Sequence, residues 1–246
     1  MNVVELKNVS KVYDPDTNPT LALENVSMHV EQGEFVAIMG LSGSGKSTLM
    51  NIIGLLDVTT TGEYLLDGHP VNARRDAELA RLRREKIGFV FQSFNLIPRL
   101  TLQQNIELPM IYGRLKPKER KIKSKQLLEL VGLGDRANFR PNNISGGQTQ
   151  RAAIARALAN SPSLILADEP TGNLDTKSSR MIMDELHRLH KTGTTIVIVT
   201  HNPELAAEAD RIIEISDGKV TEKPARRKPT AVKRVATRPH TRRFGL

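Results

Sequence analysis

Gly40-Leu41-Ser42-Gly43-Ser44-Gly45-Lys46-Ser47 fits the pattern G-x-x-x-x-G-K-[ST], a spacing suited to gripping a triphosphate. Such glycines let the backbone curl until successive N–H groups point inward as an anion nest. A helix starting at the end of the loop adds its positive pole. Lys46 is then placed to reach the β- and γ-phosphates, Ser47 to offer its hydroxyl to Mg²⁺, and Thr48 to meet the α-phosphate. A second group of reactive types lies far along the chain, where the apolar run Leu164-Ile165-Leu166-Ala167 ends in Asp168 and Glu169. A parallel strand beside the one feeding the glycine loop would deliver both acids to the phosphate edge of a sheet. Asp168 is expected to orient Mg²⁺, and Glu169 to act as general base for an attacking water. His201 closes the next apolar run, Thr195 to Thr200, and is expected to contact the γ-phosphate. Two acids at a strand end, or one histidine, are ordinarily solvated surface groups. Their coupling to the glycine-lysine loop gives them weight here.

The elements that must position these groups are legible from periodicity. Val3 to Tyr13 and Leu21 to Val30 alternate loosely and read as a β-ribbon. Phe35 to Met39 is a short apolar run, as expected of a buried parallel strand, and a helix over about 45–56 follows the glycine loop. Glu63 to Leu66 reads as a strand closed by Asp67-Gly68, Asp76 to Lys86 as a charged helix, and Ile87 to Phe91 as another strand. The middle of the chain changes character, with helical patterns at Leu102 to Tyr112 and at Pro117 to Val131, the latter with Pro in its first turn. Beyond it we expect a helix from Gly146 to Asn160, a strand at Leu164 to Ala167, and a helix from Thr176 to Lys191. A strand from Thr194 to Thr200 and a closing ribbon around Ile212 to Val220 complete the pattern. Strands separated by helices imply a parallel core sheet in an α/β fold.

Ile144-Ser145-Gly146-Gly147-Gln148, followed by Thr149 to Ala159, presents a second glycine-rich start to a helix, with Ser145 as its N-cap. Its free N–H groups and positive pole suit another phosphate contact. Two such sites do not easily grip one triphosphate within one monomer. The segment resembles the signature sequence of ABC ATPases, and the order of glycine loop, glutamine, signature, Asp-Glu and histidine matches that family from about Val3 to Lys223. The resemblance implies a P-loop ABC ATPase fold: a mostly parallel core sheet, an antiparallel β subdomain and an inserted helical subdomain. It further implies a head-to-tail homodimer in which Ser145, Gly146, Gly147 and Gln148, together with Asp175 of the Leu174-Asp175 pair, act in trans on nucleotide held by the other copy. Tyr13 resembles the aromatic that stacks on adenine. Gln92 resembles the residue that senses Mg²⁺ and the partner, so Lys46, Gln92, Glu169 and His201 form the implied catalytic set and Ser47, Gln92 and Asp168 the implied Mg²⁺ set. Departures are mild: Ile144 replaces a usual leucine, Thr149 a common glutamine, and Leu41 stands where proline or alanine is frequent.

Gly54-Leu-Leu-Asp57, Phe91 to Pro98 and Gly172-Asn-Leu-Asp175 look like the branch of lipoprotein-releasing and macrolide or antimicrobial-peptide exporters, with the cell-division ATPase a near relative. The resemblance implies an ATP-hydrolysing subunit that drives a membrane permease. The groove receiving that permease is expected to include part of Phe94, Leu96, Ile97 and Leu100. Soluble relatives acting on ribosomes or DNA are the competing class. The ribosomal ones usually carry two cassettes in one chain, and the DNA-repair ones insert a long domain between glycine loop and signature.

Of the 36 Lys and Arg, nine fall in 223–246, which has no Asp or Glu; residues 1–222 therefore hold 27 basic and 27 acidic residues. The body is neutral, which removes the case for a basic nucleic-acid-binding fold. Residues 1–222 read as the nucleotide-binding domain, with its helical subdomain at about 95–160, and 223–246 as a basic tail. The tail's proline and scattered charge predict solvated disorder; attraction to an anionic inner leaflet is the second reading and nucleic acid the third. No run approaches 18 apolar residues, so the permease is expected on a separate polypeptide. The absence of cysteine and of a basic-apolar leader fits a cytoplasmic protein, peripheral on the inner face of the membrane.

Overall fold

The structure, a computed structural model, describes residues 1–71 and 75–223. The expected disordered, lipid-contacting tail lies outside the described residues, apart from Lys223. Strand β1 (Asn2–Tyr13) pairs antiparallel with β2 (Thr20–Glu31), as the alternating pattern predicts. Next come β3 (Phe35–Met39), helix α1 (Lys46–Ile53), β4 (Thr61–Leu66), the two-residue β5 (His69–Pro70), α2 (Asp76–Lys86) and β6 (Ile87–Val90). Helices α3 (Leu102–Tyr112), α4 (Pro117–Leu130) and α5 (Gly146–Ala157) precede β7 (Leu164–Asp168), α6 (Thr176–Lys191) and β8 (Thr195–Thr200). A short α7 (Pro203–Ala206), β9 (Arg211–Ser216) and β10 (Lys219–Lys223) end the described chain.

Two sheets result. One is antiparallel in the order β2-β1-β4-β5; the other has the order β10-β9-β3-β8-β7-β6 and is parallel except for β10. Sequence reasoning put β7 beside β3, but β8 lies between them. The residues of β8 are all buried, as a strand with paired neighbours on both edges and packed layers on both faces requires.

The strands of this sheet divide their side chains by alternation. Val36, Ile38, Leu164, Leu166, Val197 and Val199 join α1 and the antiparallel sheet in one core. Phe35, Ala37, Ile165, Ala167, Ile196 and Ile198 face α6, α7 and part of α5. A third core, with Leu102, Ile106, Met110, Leu128 and Val131, belongs to α3 and α4. Helix α5 serves both of these last two, giving Ala152, Ala153 and Ala155 to the helical lobe and Ile154 and Ala157 to the sheet.

Two helices stop earlier than their patterns suggest. Helix α1 ends at Ile53 because Gly54 lies against Phe89, where an added Cβ would come within 2.8 Å of the ring, and Leu55 takes φ 55°. Helix α5 ends at Ala157, whose carbonyl lies so close to Gly88 of β6 that an added Cβ would meet it at 2.3 Å. Among the described residues, no helix is long and apolar enough to cross a membrane.

Candidate active site

Between β3 and α1 the chain turns through Gly43 (φ 80°) and Gly45 (φ 103°), conformations that a residue with a Cβ rarely adopts. Gly45 is also pressed on β2, where a Cβ would lie 2.7 Å from the Ala22 carbonyl. Gly45 caps α1 without a side chain, so the first-turn N–H groups have no side-chain acceptor from the cap. Ser42, Gly43 and Ser47 are exposed on this open face. The Lys46 ammonium folds back to donate to the Leu41 carbonyl at 2.5 Å, and the buried Ser44 Oγ has no hydrogen-bond partner among the described residues. The loop is thus an anion cradle with its lysine parked on its own backbone.

The acids reach the same sheet edge from β7. Asp168 is half-buried; its carboxyl is pushed above the usual range by burial and then by the adjacent Glu169, while Lys46 pulls the other way. Glu169 takes φ 41°, held there by its N–H to the Val199 carbonyl at 2.9 Å and its own carbonyl to Gly172 N–H at 3.0 Å. Its Oε1 accepts from the His201 backbone N–H at 2.8 Å and lies 2.6 Å from His201 Nδ1, and its Oε2 accepts from Thr200 Oγ1 at 3.0 Å. The position of β8 next to β7 makes this grip possible, since the ends of the two strands are neighbours. The His201 side chain is 75% exposed.

Gln92 is exposed just beyond β6 and is tied to the loop after Glu169. Its Nε2 donates to Asn173 Oδ1 at 3.3 Å, and Asn173 Nδ2 donates to the Gln92 carbonyl at 3.1 Å. Tyr13 sits at the end of β1 with its hydroxyl donating to Asp57 Oδ2 at 2.8 Å and Thr48 also within hydrogen-bonding reach. Lys11 lies 4.8 Å from the centre of the Tyr13 ring and donates to Asp57 Oδ1 at 2.6 Å. Burial first, then Asp57, pushes the phenol of Tyr13 up.

Lys46, Asp168, Glu169 and His201 thus converge at one sheet edge, with Gln92 joined on through Asn173. The signature does not join them. Ser145 caps α5, its Oγ accepting from Gln148 N–H at 3.3 Å while Gln148 Oε1 accepts from Ser145 N–H at 3.0 Å. An added Cβ on Gly146 or Gly147 would meet Leu174 or Ser178 first, and no hydrogen bond runs from 145–148 to the glycine loop among the described residues. Asp175 caps α6, with Oδ1 accepting from Ser178 N–H at 2.9 Å and Oδ2 from Ser178 Oγ at 2.6 Å; these bonds, the hydroxyl first, hold its carboxyl below the usual range. Leu96, expected at a partner surface, is buried in the core of the helical lobe, whereas Ile97 is exposed.

Sequence reasoning missed Asn173, Thr200, Lys11 and Asp57 as supports. Asn173 and Asp57 lie within loop words that drew notice, but nothing in spacing pairs Asn173 with Gln92, 81 positions away.

The family model described as ABC transporter matches residues 23–172. An uncharacterized ABC transporter ATP-binding protein of Thermotoga maritima is 56% identical over 218 residues, 89% of this chain and 93% of its own length. The macrolide export ATP-binding/permease protein MacB of Shigella flexneri is 48% identical over 223 residues, 90% of this chain but 34% of its own length. The dimeric ATP-binding cassette MJ0796 in a post-hydrolysis state bound to ADP and Pi superposes with a TM-score of 0.81 at 49% identity, covering 91% of this chain and 99% of that one.

Proposed function

The chain belongs to the ABC transporter family of ATP-binding proteins, and from that premise we propose that it dimerises head to tail on Mg-ATP to drive a permease of the macrolide, peptide or lipoprotein-releasing type. The fold is that of a P-loop ABC ATPase and the activity is ATP hydrolysis. The observation that carries the finer reading is Glu169, held at both oxygens beside the glycine cradle. In the reading proposed, phosphates lie on the N–H groups of 40–48 with Lys46 swung off Leu41, and adenine stacks on Tyr13. Water attacks the γ-phosphorus, the bond to the β-phosphate oxygen breaks, and the water proton passes to Glu169. Oε2 accepts one bond at rest and keeps a lone pair for the water. His201, mostly exposed, is able to swing its ring toward the γ-phosphate, which leaves Oε1 with the backbone N–H alone.

Ser47 hydroxyl, Asp168 carboxylate and the Gln92 side-chain carbonyl form the hard-oxygen set that suits Mg²⁺. Burial first, and then Glu169, push the Asp168 carboxyl up, so a cation beside it would favour its ionised form. When bound, Mg²⁺ neutralises charge on the β- and γ-phosphate oxygens. Ser145 to Gln148 and Asp175 act in trans on the other copy's nucleotide.

The permease surface is the apolar groove of about 470 Å³ lined by Leu56, Phe89, Phe91, Leu108, Tyr112 and Arg156, beside Gln92. Of the Phe94–Leu100 cluster, Leu96 is core and drops out, while Ile97 stays exposed. Docking there would make the protein peripheral on the cytoplasmic face of the membrane.

Glu169→Gln tests the reading. Turnover is expected to fall about 10²–10⁴-fold, the usual contribution of a general base, while ATP binding persists and light scattering detects an ATP-dependent dimer. A variant that hydrolyses at the wild-type rate, or that stays monomeric with ATP and permease, overturns it.

A further inference from the structure

Gln150, in the second turn of α5, is fully buried. Its Nε2 donates to the Pro170 carbonyl at 2.7 Å and to the Phe91 carbonyl at 3.3 Å. Phe91 precedes Gln92, and Pro170 follows Glu169. One amide therefore spans the helix opened by Ser145, the segment carrying Gln92 and the segment carrying Glu169. The side chain has one orientation that works: turned over, its oxygen would face both carbonyls and neither bond could form. Its Oε1 is buried without a hydrogen-bond partner among the described residues. A buried acceptor left open is destabilising, and the amide offsets this by donating to two carbonyls that an apolar side chain would leave without that donor. Packing alone therefore does not account for an amide at this point.

The two segments are joined a second time on the outside, by the reciprocal Gln92–Asn173 bonds. Gln150 is the inner tie and joins both segments to α5, while Arg156 of the same helix reaches only the first, at the Phe94 and Asn95 carbonyls. Gln150 also fixes the peptide next to Glu169, whose left-handed φ of 41° persists only if its surroundings over-determine it. We propose that Gln150 is a positioning residue for ATP hydrolysis. It fastens the backbones beside Gln92 and Glu169 to the signature helix, so that a tilt of α5 on nucleotide closure carries both with it, and its open Oε1 is the acceptor filled in the closed state. The proposal rests on the reading of Glu169 as general base.

The test compares Gln150→Leu, Gln150→Glu and Glu169→Gln in the full chain, by steady-state ATP turnover, ATP affinity and thermal melting. Gln150→Leu is expected to lower kcat about ten-fold or more, the loss of roughly 1.4 kcal/mol at the barrier, with KM and ATP affinity changed less than about two-fold and no matching drop in Tm. Gln150→Glu adds a pH signature. The ionised carboxylate opposes both carbonyls, whereas the protonated form can donate one bond. Its kcat relative to wild type should rise as pH falls from about 8 to about 6, since burial against carbonyl oxygens raises a carboxyl pKa. Wild-type kcat in Gln150→Leu, or a kcat loss equal to the loss of folded protein, overturns the proposal. If Gln150→Leu fails to fold, the pH ratio of Gln150→Glu decides, and a flat ratio overturns it. Full turnover by Glu169→Gln would remove the base reading itself; an inactive Glu169→Gln beside a fully active Gln150→Leu removes only the role of Gln150.

Discussion

Helices α1 and α5 both begin after glycine-rich turns, yet their N-termini are built in opposite ways. Gly45 offers α1 no side-chain acceptor, whereas Ser145 and Gln148 close a reciprocal capping box on α5. The first end leaves its N–H groups open to an anion. The second has the Ser145 and Gln148 N–H groups taken by its own side chains, so an anion there would meet the Gly146 and Gly147 N–H groups or share those bonds. The comparison teaches that matching glycine content does not give matching chemistry. One end leaves its N–H groups without a side-chain cap, and the other closes two of them with its own side chains.

Of changes at these two ends, the largest effect is expected from stripping the first of its cation. Lys46→Ala should lower kcat about 10²–10³-fold, the size seen when one preorganised charge-stabilising donor is removed. It should also weaken ATP binding by the isolated subunit, as equilibrium dialysis would register. Ser145→Ala probes the second end. We expect turnover to fall roughly ten-fold, within the range for a lost hydrogen bond to a charged group, while ATP affinity of the monomer stays at the wild-type value. If monomer affinity falls as well, the two ends are not independent. The smallest effect is conformational. Gly45→Ala forces a Cβ into φ 103° and within 2.7 Å of the Ala22 carbonyl, whereas Gly146→Ala meets only a Leu174 methyl at 3.2 Å. Scanning calorimetry should give the first a Tm loss of several degrees, from about 1–3 kcal/mol of strain, and the second a smaller one.

Much of this was legible in the sequence because caps and periodicity are local. Helices α2, α3 and α6 run over the residues that their patterns predict, and the structure shows Thr101 and Asp175 as the caps of the last two. The groups at the phosphate edge were legible for a different reason: each ends an apolar run, and such runs become parallel strands whose ends share an edge. Sheet order was not legible. The place of β8 between β3 and β7 depends on which helix covers which face, and three similar buried runs of β-branched and aliphatic residues do not encode it. Side-chain ties across long separations were equally hidden, such as Tyr13 to Asp57 and Gln92 to Asn173.

Helix α5 meets the helical lobe through Ala152, Ala153 and Ala155, whereas Ile154 and the Gln150 amide anchor it on the sheet side. Methyl groups make shallow ridges, so the seam with the lobe has no deep teeth to disengage. Such a surface suits shear, in which packed helices slide by about 1–2 Å without opening voids. The rest of the lobe is therefore mounted on α5 less like a bolted plate than like a drawer on a smooth runner, with the signature at the runner's front end.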